Sequence, residues 1–355
     1  MGYFTKDKAP TITFQELHER IQAASIVGIN ADIARLAPPA PEAPAAATAE
    51  TPAHRPARWD DYVGQRRVRR RLEVAVASAL ARGERAEHIM LFSGPGQGKT
   101  TLANLIAAEL DRPLVLLTKP PTSDEFRRAC ERASEGVLFC DEVHCWNDAL
   151  QHQLMELTES GTLDTKFGAQ HFPDLTVIAA TTEPLKLLAP LVDRFGCKVT
   201  LDPYTDDDML AIAQGMVARC WPDGYEPLDE ATCAVLATAS AGVPRDMRSL
   251  IFAGRDLALA NQEVSAAEIL LLCDTDPDGC TRAHLDMLAC LADSNNGTAG
   301  LAMLSDALRV APAMMRRTER LLLDRHYIAL TPSGRAITLS GQARLKAGSI
   351  RDFAA

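Results

Sequence analysis

A glycine-rich segment at residues 93–100, which reads Ser-Gly-Pro-Gly-Gln-Gly-Lys-Thr, constrains the fold of this chain more than any other feature. An apolar run at 88–92 precedes it, and a helical pattern starting at Thr101 follows it. A strand, a glycine-rich turn and a helix in that order bring backbone N–H groups and a helix N-terminus together around a phosphate. In such a loop Lys99 reaches the β- and γ-phosphates, and the Thr100 hydroxyl binds Mg²⁺. The segment predicts a nucleotide site, although Ser93 stands where the usual pattern has glycine, and a glycine-rich turn without a ligand is the alternative.

A second segment with candidate residues for the nucleotide site lies about forty residues further along the chain. Residues 136–140 have the pattern of a buried strand, which ends in Asp141 and Glu142. A carboxylate at the end of a strand can hold a hydrated Mg²⁺, and the next one can polarise an attacking water. We therefore predict Asp141 as the metal ligand and Glu142 as the group that acts on the water. A charged turn after a core strand is the alternative interpretation.

The secondary structure predicted for the rest of the chain continues from the phosphate loop and the strand before Asp141. From about residue 58 to 201, strand and helix patterns alternate, which predicts a parallel sheet covered by helices on both faces. The predicted strands are 88–92, 113–117, 136–140, 175–180 and 197–201. Residues 205–272 carry helical patterns only. Residues 281–340 show helices, including 300–308 and a recognition helix at about 312–323, followed by a β-hairpin at 327–330 and 336–339, and this order is typical of a winged helix.

These signals predict an α/β fold, with a P-loop parallel sheet, a small helical bundle and a C-terminal winged-helix domain. The expected segments are an amphipathic helix and an Ala/Pro-rich linker (1–53), a nucleotide-binding domain (54–203), a helical bundle (204–275), a winged helix (276–342) and a tail (343–355). Whether the front helix binds a partner, a neighbouring subunit or its own chain stays open. The motif Asp274-x-Asp276-x-Asp278-Gly279 imitates a calcium loop, but Leu285 occupies its twelfth position, so an acidic linker is expected.

Composition narrows the class of protein. The chain has 355 residues, and no run of about eighteen apolar residues. Its nine cysteines are scattered and form no C-x-x-C pair, which favours reduced thiols. We expect a cytoplasmic protein without a membrane contact.

The charge of the chain is unevenly distributed. The net charge of −10 argues against a general nucleic-acid coat, yet residues 281–348 hold nine Lys or Arg against five acids. A basic module on an acidic body is compatible with a local grip on DNA, and a solvated surface would look similar.

Several motifs together resemble the RuvB-type AAA+ ATPases, the motors of Holliday-junction branch migration. The resemblance covers roughly residues 54–340 and not the N-terminal fifty. It implies an AAA+ fold, in which residues 54–203 are the large ATPase domain and residues 204–275 are the helical lid. Besides the phosphate loop and Asp141-Glu142-Val143-His144, the resemblance rests on Arg55-Pro56, Tyr62-Val63-Gly64-Gln65, Ala180-Thr181-Thr182, Asp193-Arg194-Phe195-Gly196, Gly242-Val243-Pro244-Arg245 and Thr331-Pro332-Ser333-Gly334-Arg335.

The resemblance implies a role for each matching residue. The adenine and ribose side would be lined by Arg55, Tyr62 and Tyr204. The phosphates and Mg²⁺ would be held by Gly96, Gly98, Lys99, Thr100 and Thr101, with Asp141 as the second metal ligand. Around the γ-phosphate, Thr182 resembles the sensor-1 group, Arg245 the sensor-2 arginine of the lid, and Arg194 the arginine finger supplied to a neighbouring subunit. DNA would be contacted by Arg335 in the wing, and Arg316 and Arg317 add charge on the recognition helix.

The implied protein is an ATP- and Mg²⁺-dependent hydrolase that forms a homo-oligomer, expected to be a hexameric ring, on double-stranded or branched DNA. An arginine supplied in trans makes hydrolysis depend on assembly and contributes on the order of 10³–10⁵ in rate in related NTPases. A surface ion pair of Arg194 with Asp193 is the alternative for that residue.

Two departures from the family suggest a diverged member. The hairpin candidate at 163–170 is short, which leaves open whether the partner is RuvA-like or a phage or host replication protein. Leu330 also replaces a family arginine in the wing. A nucleotide-switched adaptor that recruits a partner to DNA is the second hypothesis, and a transcription regulator with a degenerate ATPase fits the intact Glu142 and Arg194 poorly.

Overall fold

A parallel sheet forms the centre of the first part of the chain. The computed structural model describes residues 54–165 and 168–347. The strands up to residue 203 are β1 (Ile89–Phe92), β2 (Leu114–Leu117), β3 (Val137–Cys140), β4 (Thr162–Thr165), β5 (Gly168–His171), β6 (Thr176–Thr181) and β7 (Cys197–Thr200). Five of them form one sheet in the order β2-β3-β6-β1-β7, and all neighbours are parallel. The five strands confirm the predicted ones, with bounds that differ by one residue at most.

The register of this sheet brings the candidate site residues to one edge. Phe92, the last residue of β1, pairs with Thr181 of β6 and with Thr200 of β7. Cys140, the last residue of β3, pairs with Ala179. The segments that follow β1, β3 and β6 therefore leave the sheet side by side, at the carboxyl ends where α/β sheets bind ligands.

Helices cover both faces of the sheet, as predicted. They are α1 (Arg66–Arg82), α2 (Lys99–Glu109), α3 (Ser123–Arg132), α4 (Asp148–Ser160) and α5 (Ala189–Asp193). Successive residues of a strand point to opposite faces. Ile89 and Leu91 accordingly belong to the apolar core with α1 and α2, whereas Met90 belongs to the core with α3 and α4. The antiparallel hairpin of β4 and β5 follows α4.

Four helices form the lid. They are α6 (Asp206–Cys220), α7 (Glu230–Ala239), α8 (Pro244–Leu259) and α9 (Ala266–Leu272). Their apolar faces meet in a core of their own around Met209, Leu236 and Met247. Thr205 begins α6 in a capping box, in which its hydroxyl accepts the N–H of Asp208 and the Asp208 carboxylate accepts the N–H of Thr205.

The C-terminal part is a winged helix. Its elements are α10 (Arg282–Asp293), β8 (Thr298–Ala299), α11 (Leu301–Leu308), α12 (Pro312–Asp324), β9 (Ile328–Thr331), β10 (Gly334–Ile337) and α13 (Leu339–Lys346), and the sheet order is β8-β10-β9. The second strand ends earlier than expected, because Thr338 is the N-cap of α13 and its hydroxyl accepts the Gly341 N–H at 3.1 Å. Helix α13 therefore crosses the expected domain boundary at residue 342.

The acidic segment before the winged helix holds α13 in place. Asp276 Oδ1 accepts the backbone N–H groups of Asp278 at 2.9 Å and Cys280 at 2.8 Å. Its Oδ2 forms an ion pair with Arg344 of α13, and the Asp278 carboxylate lies 3.4 Å from Arg344 Nε. The calcium-like motif thus supplies the buried counter-charge of an arginine.

The predicted front helix and linker at 1–53 lie outside the described residues, as do residues 348–355 of the tail. Within the described residues, no helix has the length and apolar character that crossing a membrane requires.

Candidate nucleotide site

The glycine-rich loop leaves β1 and enters α2 with two residues in the left-handed region. Gly96 has φ 76° and Gly98, the N-cap of α2, has φ 96°. Side chains are unfavourable in this region. Space is a second reason for glycine at 96, since a Cβ there would lie 2.8 Å from Val243 Cγ1 in the lid. The Gln97 side-chain amide donates to the Gly242 carbonyl at 3.2 Å, so the lid closes directly on the loop.

Lys99 is buried inside the curve of this loop. Its Nζ lies 3.5 Å from the Ser93 carbonyl oxygen, 3.4 Å from that of Gly94 and 3.7 Å from Glu142 Oε1. Burial lowers the pKa of Lys99, and the negative charges of Glu142 and Asp141 oppose this effect. The ammonium group is therefore held at the start of the loop, facing the acids that follow β3.

Glu142 is positioned by the segment that follows β6. Its Oε2 accepts the backbone N–H of Thr182 at 3.1 Å and the Thr182 hydroxyl at 2.9 Å. His144 Nδ1 lies 3.2 Å from the same oxygen and 3.0 Å from the Thr181 hydroxyl. Glu142 has φ 47°, a conformation that is costly for a residue other than glycine and tends to occur at functional sites. The structure thus brings the predicted water-polarising acid and the predicted sensor together.

Asp141 faces the same space. Its Oδ1 accepts the Glu142 N–H at 3.0 Å. Burial raises the pKa of Asp141 and the Glu142 charge raises it further, while Lys99 acts in the opposite direction. Two acids and one ammonium group therefore share a partly buried pocket at the carboxyl edge of the sheet.

Two tyrosines form the opposite side of the cleft. The Tyr62 and Tyr204 hydroxyls lie 3.1 Å apart, and both side chains are buried. Burial raises the pKa of Tyr62 well above its ordinary value, and the neighbouring Tyr204 raises it further. Both hydroxyls lie close to Gly98, at 3.6 and 3.7 Å from the position of a Cβ there. The tyrosine pair thus borders the end of the loop opposite to Ser93.

Most of the predicted nucleotide-binding residues line this one cleft. They are Arg55, Tyr62, Gly96, Gly98, Lys99, Thr100, Thr101, Asp141, Glu142, Tyr204 and Arg245. Thr182 is connected to the cleft by its two hydrogen bonds to Glu142. Burial lowers the pKa of Arg55, and the charges of Arg248 and Arg245 lower it further.

Sequence reasoning missed further groups at the cleft, namely His54, Arg219 and Arg248. Burial lowers the pKa of His54 to about 4, with Arg248 as the next cause, so this imidazole is neutral at pH 7. Arg248 could have been predicted from its spacing, because it lies three residues after Arg245 at the start of α8 and therefore on the same helix face. The sequence pointed to His144 only as part of the motif Asp141-Glu142-Val143-His144, and no separate role was predicted for it. The cleft carries more positive charge than the predicted set implied, as a polyphosphate site requires.

Arg194 is not among the described residues that line the cleft. It ends α5, its side chain is 40% exposed, and its Nη2 pairs with Glu159 Oε2 at 3.1 Å. Asp193, the alternative partner, instead lies 3.5 Å from Lys198 Nζ. The predicted role of Arg194 as a finger toward a neighbouring subunit stays a prediction.

The wing arginine is engaged within the domain. Arg335 donates to Glu319 through Nε at 2.6 Å and through Nη2 at 3.1 Å, and this bidentate pair raises the pKa of Arg335. Leu330, on the neighbouring strand, is 62% exposed. DNA contacts by Arg335, Arg316 and Arg317 stay predictions.

The fold and the site define a P-loop ATPase of the AAA+ class that carries a winged helix. Residues 54–201 match the family described as the Holliday junction DNA helicase RuvB P-loop domain, and residues 278–346 match the RuvB C-terminal winged helix domain. The chain belongs to the RuvB family, binds nucleotide and is an ATP hydrolase.

Known relatives span nearly the same length. The chain is 32% identical over 314 residues to the Holliday junction branch migration complex subunit RuvB of Synechococcus sp. (strain CC9311), covering 82% of this chain and 85% of the relative. The corresponding protein of Thermobifida fusca (strain YX) is 33% identical over 311 residues, covering 82% and 88%. The solved Thermotoga maritima RuvB Holliday junction branch migration motor superposes with a TM-score of 0.71 at 29% identity, covering 83% of this chain and 98% of that structure.

Proposed function

We propose that this protein is a ring-forming motor that couples ATP hydrolysis to the branch migration of Holliday junctions, or to movement on double-stranded DNA. The observation that carries the proposal is the placement of Glu142 between Lys99 and Thr182 in a chain that also bears a winged helix. A hydrolytic site is assembled here, and the relatives that share both domains are named as branch-migration subunits.

The site can perform phosphoryl transfer by positioning and charge. Lys99 neutralises the charge that spreads over the γ-phosphate oxygens. Glu142 accepts the proton of the attacking water, after its Oε2 exchanges the Thr182 hydroxyl for that water. Thr182 and Arg245 then contact the γ-phosphate. The hydrogen bonds from Thr182 hold the Glu142 carboxylate in place, which supports this role.

The donor set fits Mg²⁺. The Thr100 hydroxyl and the Asp141 carboxylate are hard oxygen ligands, and this ion is typically held by one or two protein groups together with substrate phosphates. Burial and the neighbouring Glu142 charge raise the pKa of Asp141, and a cation bound beside it would stabilise its charged form. When bound, the ion would neutralise charge on the phosphates.

Assembly into a ring, with six subunits as the expected number, is supported by Arg194. Its guanidinium is partly exposed and pairs only with the exposed carboxylate of Glu159 among the ion pairs of the described residues. Exposed ion pairs of this kind are weak, about 0–1 kcal/mol, so a neighbour's ATP can displace the glutamate. Hydrolysis would then require two protomers at each site.

Contact with DNA is assigned to the winged helix, largely through phosphates and without sequence preference. The positive balance of residues 281–348 supports this assignment. The hairpin of β4 and β5 is the candidate surface for a RuvA-like partner protein or a replication protein.

The test is the ATPase rate of the purified full chain at low salt, without DNA, with duplex DNA and with a synthetic four-way junction. We expect DNA to raise the rate, most with the junction, and labelled junction arms to separate in an ATP-dependent manner. A rate that does not respond to any DNA would argue against a motor. Deleting residues 1–50 distinguishes the adaptor hypothesis, because a motor should still separate the arms.

A further inference from the structure

A contact between the winged helix and the phosphate loop is not explained by the roles assigned above. The guanidinium of Arg320, on α12, occupies the space that a side chain on Gly94 would need. A Cβ on Gly94 would lie 2.7 Å from Arg320 Nη2 and 2.9 Å from Cζ, and it would also collide with Nη1. Gly94 is not among the glycines with positive φ. A side chain on residue 94 would therefore displace the Arg320 guanidinium, at a loop position where the general pattern allows any residue.

This contact lies at the end of the loop that serves the terminal phosphate. The carbonyl oxygens of Ser93 and Gly94 are the ones that lie within 3.5 Å of Lys99 Nζ. Lys99 is the residue that addresses the β- and γ-phosphates. The tyrosine pair, in contrast, borders Gly98 at the other end. Arg320 therefore packs on the backbone that sets the position of the Lys99 ammonium.

Apart from this contact, the Arg320 guanidinium takes part only in a weak ion pair among the described residues. Its Nε lies 3.9 Å from Asp324 Oδ2, one turn along the same helix, and the two side chains are 49% and 69% exposed. A long, exposed pair of this kind contributes little. The two Nη groups, which face Gly94, take no part in it.

Two neighbouring arginines of α12 also act electrostatically on residues beside the nucleotide site. The pKa of Glu183 is lowered mainly by its hydrogen bond with Lys186, and the charge of Arg316 contributes to the shift. Burial raises the pKa of Asp246 in the lid, whereas the charges of Arg245 and Arg317 lower it. Glu183 follows the sensor threonine and Asp246 follows the lid arginine. The positive charges of α12 thus act on the sensor segment and the lid, and its Arg320 contacts the phosphate loop.

We propose that Arg320 is a positioning residue for ATP, supplied by the winged helix of the same protomer, that holds the Ser93–Gly94 end of the phosphate loop and thereby sets Lys99 for the γ-phosphate. The inference rests on the proposed use of ATP at this cleft. It gives the winged helix a direct connection to the nucleotide of its own protomer, in addition to the neighbour's arginine.

The test compares affinities of the full chain for ATPγS and ADP, both with Mg²⁺ and without DNA. We expect Arg320→Ala to weaken ATPγS binding on the order of tenfold, within the range known for residues that couple sites, and to leave ADP binding within about twofold. Arg282→Ala is the matched control, because Arg282 is a winged-helix arginine with an exposed pair to Asp286 one turn along its helix. A loss of folded protein alone would not change the ratio of the two affinities.

Gly94→Ala gives an independent test, since it displaces the guanidinium and leaves α12 unaltered. We expect Gly94→Ala, Arg320→Ala and the double variant to show the same loss, because each removes one contact and residues in contact do not act additively. If Arg320→Ala fails to fold, Gly94→Ala still reports on the contact. Losses that add in the double variant, or an Arg320→Ala ratio equal to that of Arg282→Ala, would overturn the inference. Because the affinities are measured without DNA, the result does not depend on whether the protein moves on DNA.

Discussion

Removing the charge of Asp276, which forms a buried ion pair with Arg344, should destabilise the winged helix. The Asp276 side chain is fully buried and that of Arg344 is 5% exposed. Asp276→Asn keeps an oxygen for the N–H groups of Asp278 and Cys280, and it replaces Oδ2, the partner of Arg344, by an uncharged NH2 group. Breaking one side of a buried pair costs about 3–5 kcal/mol. Since Asp278 remains 3.4 Å from Arg344, we expect the lower end of this range, about 3 kcal/mol.

This loss should appear as local opening of the winged helix. A domain is stable by about 5–15 kcal/mol, so 3 kcal/mol is a large part of it, and it corresponds to about a hundredfold change in an opening equilibrium. Hydrogen exchange of peptides from α10 and α13, which pack together, measures the change directly. Peptides from the central sheet serve as an internal reference.

Asp274→Asn is the matched control, because Asp274 is an exposed acid of the same segment with φ 50°, a conformation that asparagine tolerates. Exchange of α13 in Asp276→Asn within about threefold of that control would mean that the carboxylate contributes little net stability, and the reasoning from burial would be wrong.

Three further predictions concern catalysis and pH. Glu142→Gln should bind ATP normally and lose at least about a hundredfold in turnover, measured by steady-state ATPase, and near-normal turnover would assign the water to another group. Arg194→Ala should lose about 10³-fold or more in turnover yet bind nucleotide, and mixing it with Lys99→Ala protein should restore part of the activity, a result that a finger acting within one protomer would not give. Burial lowers the pKa of His88 to about 3, while its unfolded value is about 6.5, so its contribution to stability is present above pH 6.5 and is lost as the pH falls toward 3. The free energy of unfolding of His88→Gln, which does not titrate, should therefore fall less between pH 6.5 and 4.5 than that of the wild type, and parallel curves would contradict this assignment.

The structure differs from the sequence-based expectations where a contact from another element competes with the local sequence pattern. Residues 338 and 339 alternate in polarity like a strand, yet the Thr338 hydroxyl caps α13. The motif at 274–279 is expected to be an acidic linker, yet its Asp276 is buried in an ion pair with Arg344, almost seventy residues away. In both cases the local pattern was compatible with two structures, and a contact from another element selected one.

The central sheet, the phosphate loop and the two acids after β3 could be predicted from the sequence, because these features depend on the period of apolar residues and on the backbone freedom of glycine within a few positions. Which side chains meet across the cleft depends instead on how distant elements pack. Tyr62 lies 142 residues from Tyr204, and Glu142 lies 40 residues from Thr182. Such pairs form only when separate elements pack, since no local pattern specifies which distant side chain arrives. The Arg320 guanidinium on Gly94 is the longest-range case, and it joins a winged helix to a nucleotide cradle that the chain's linear order keeps far apart.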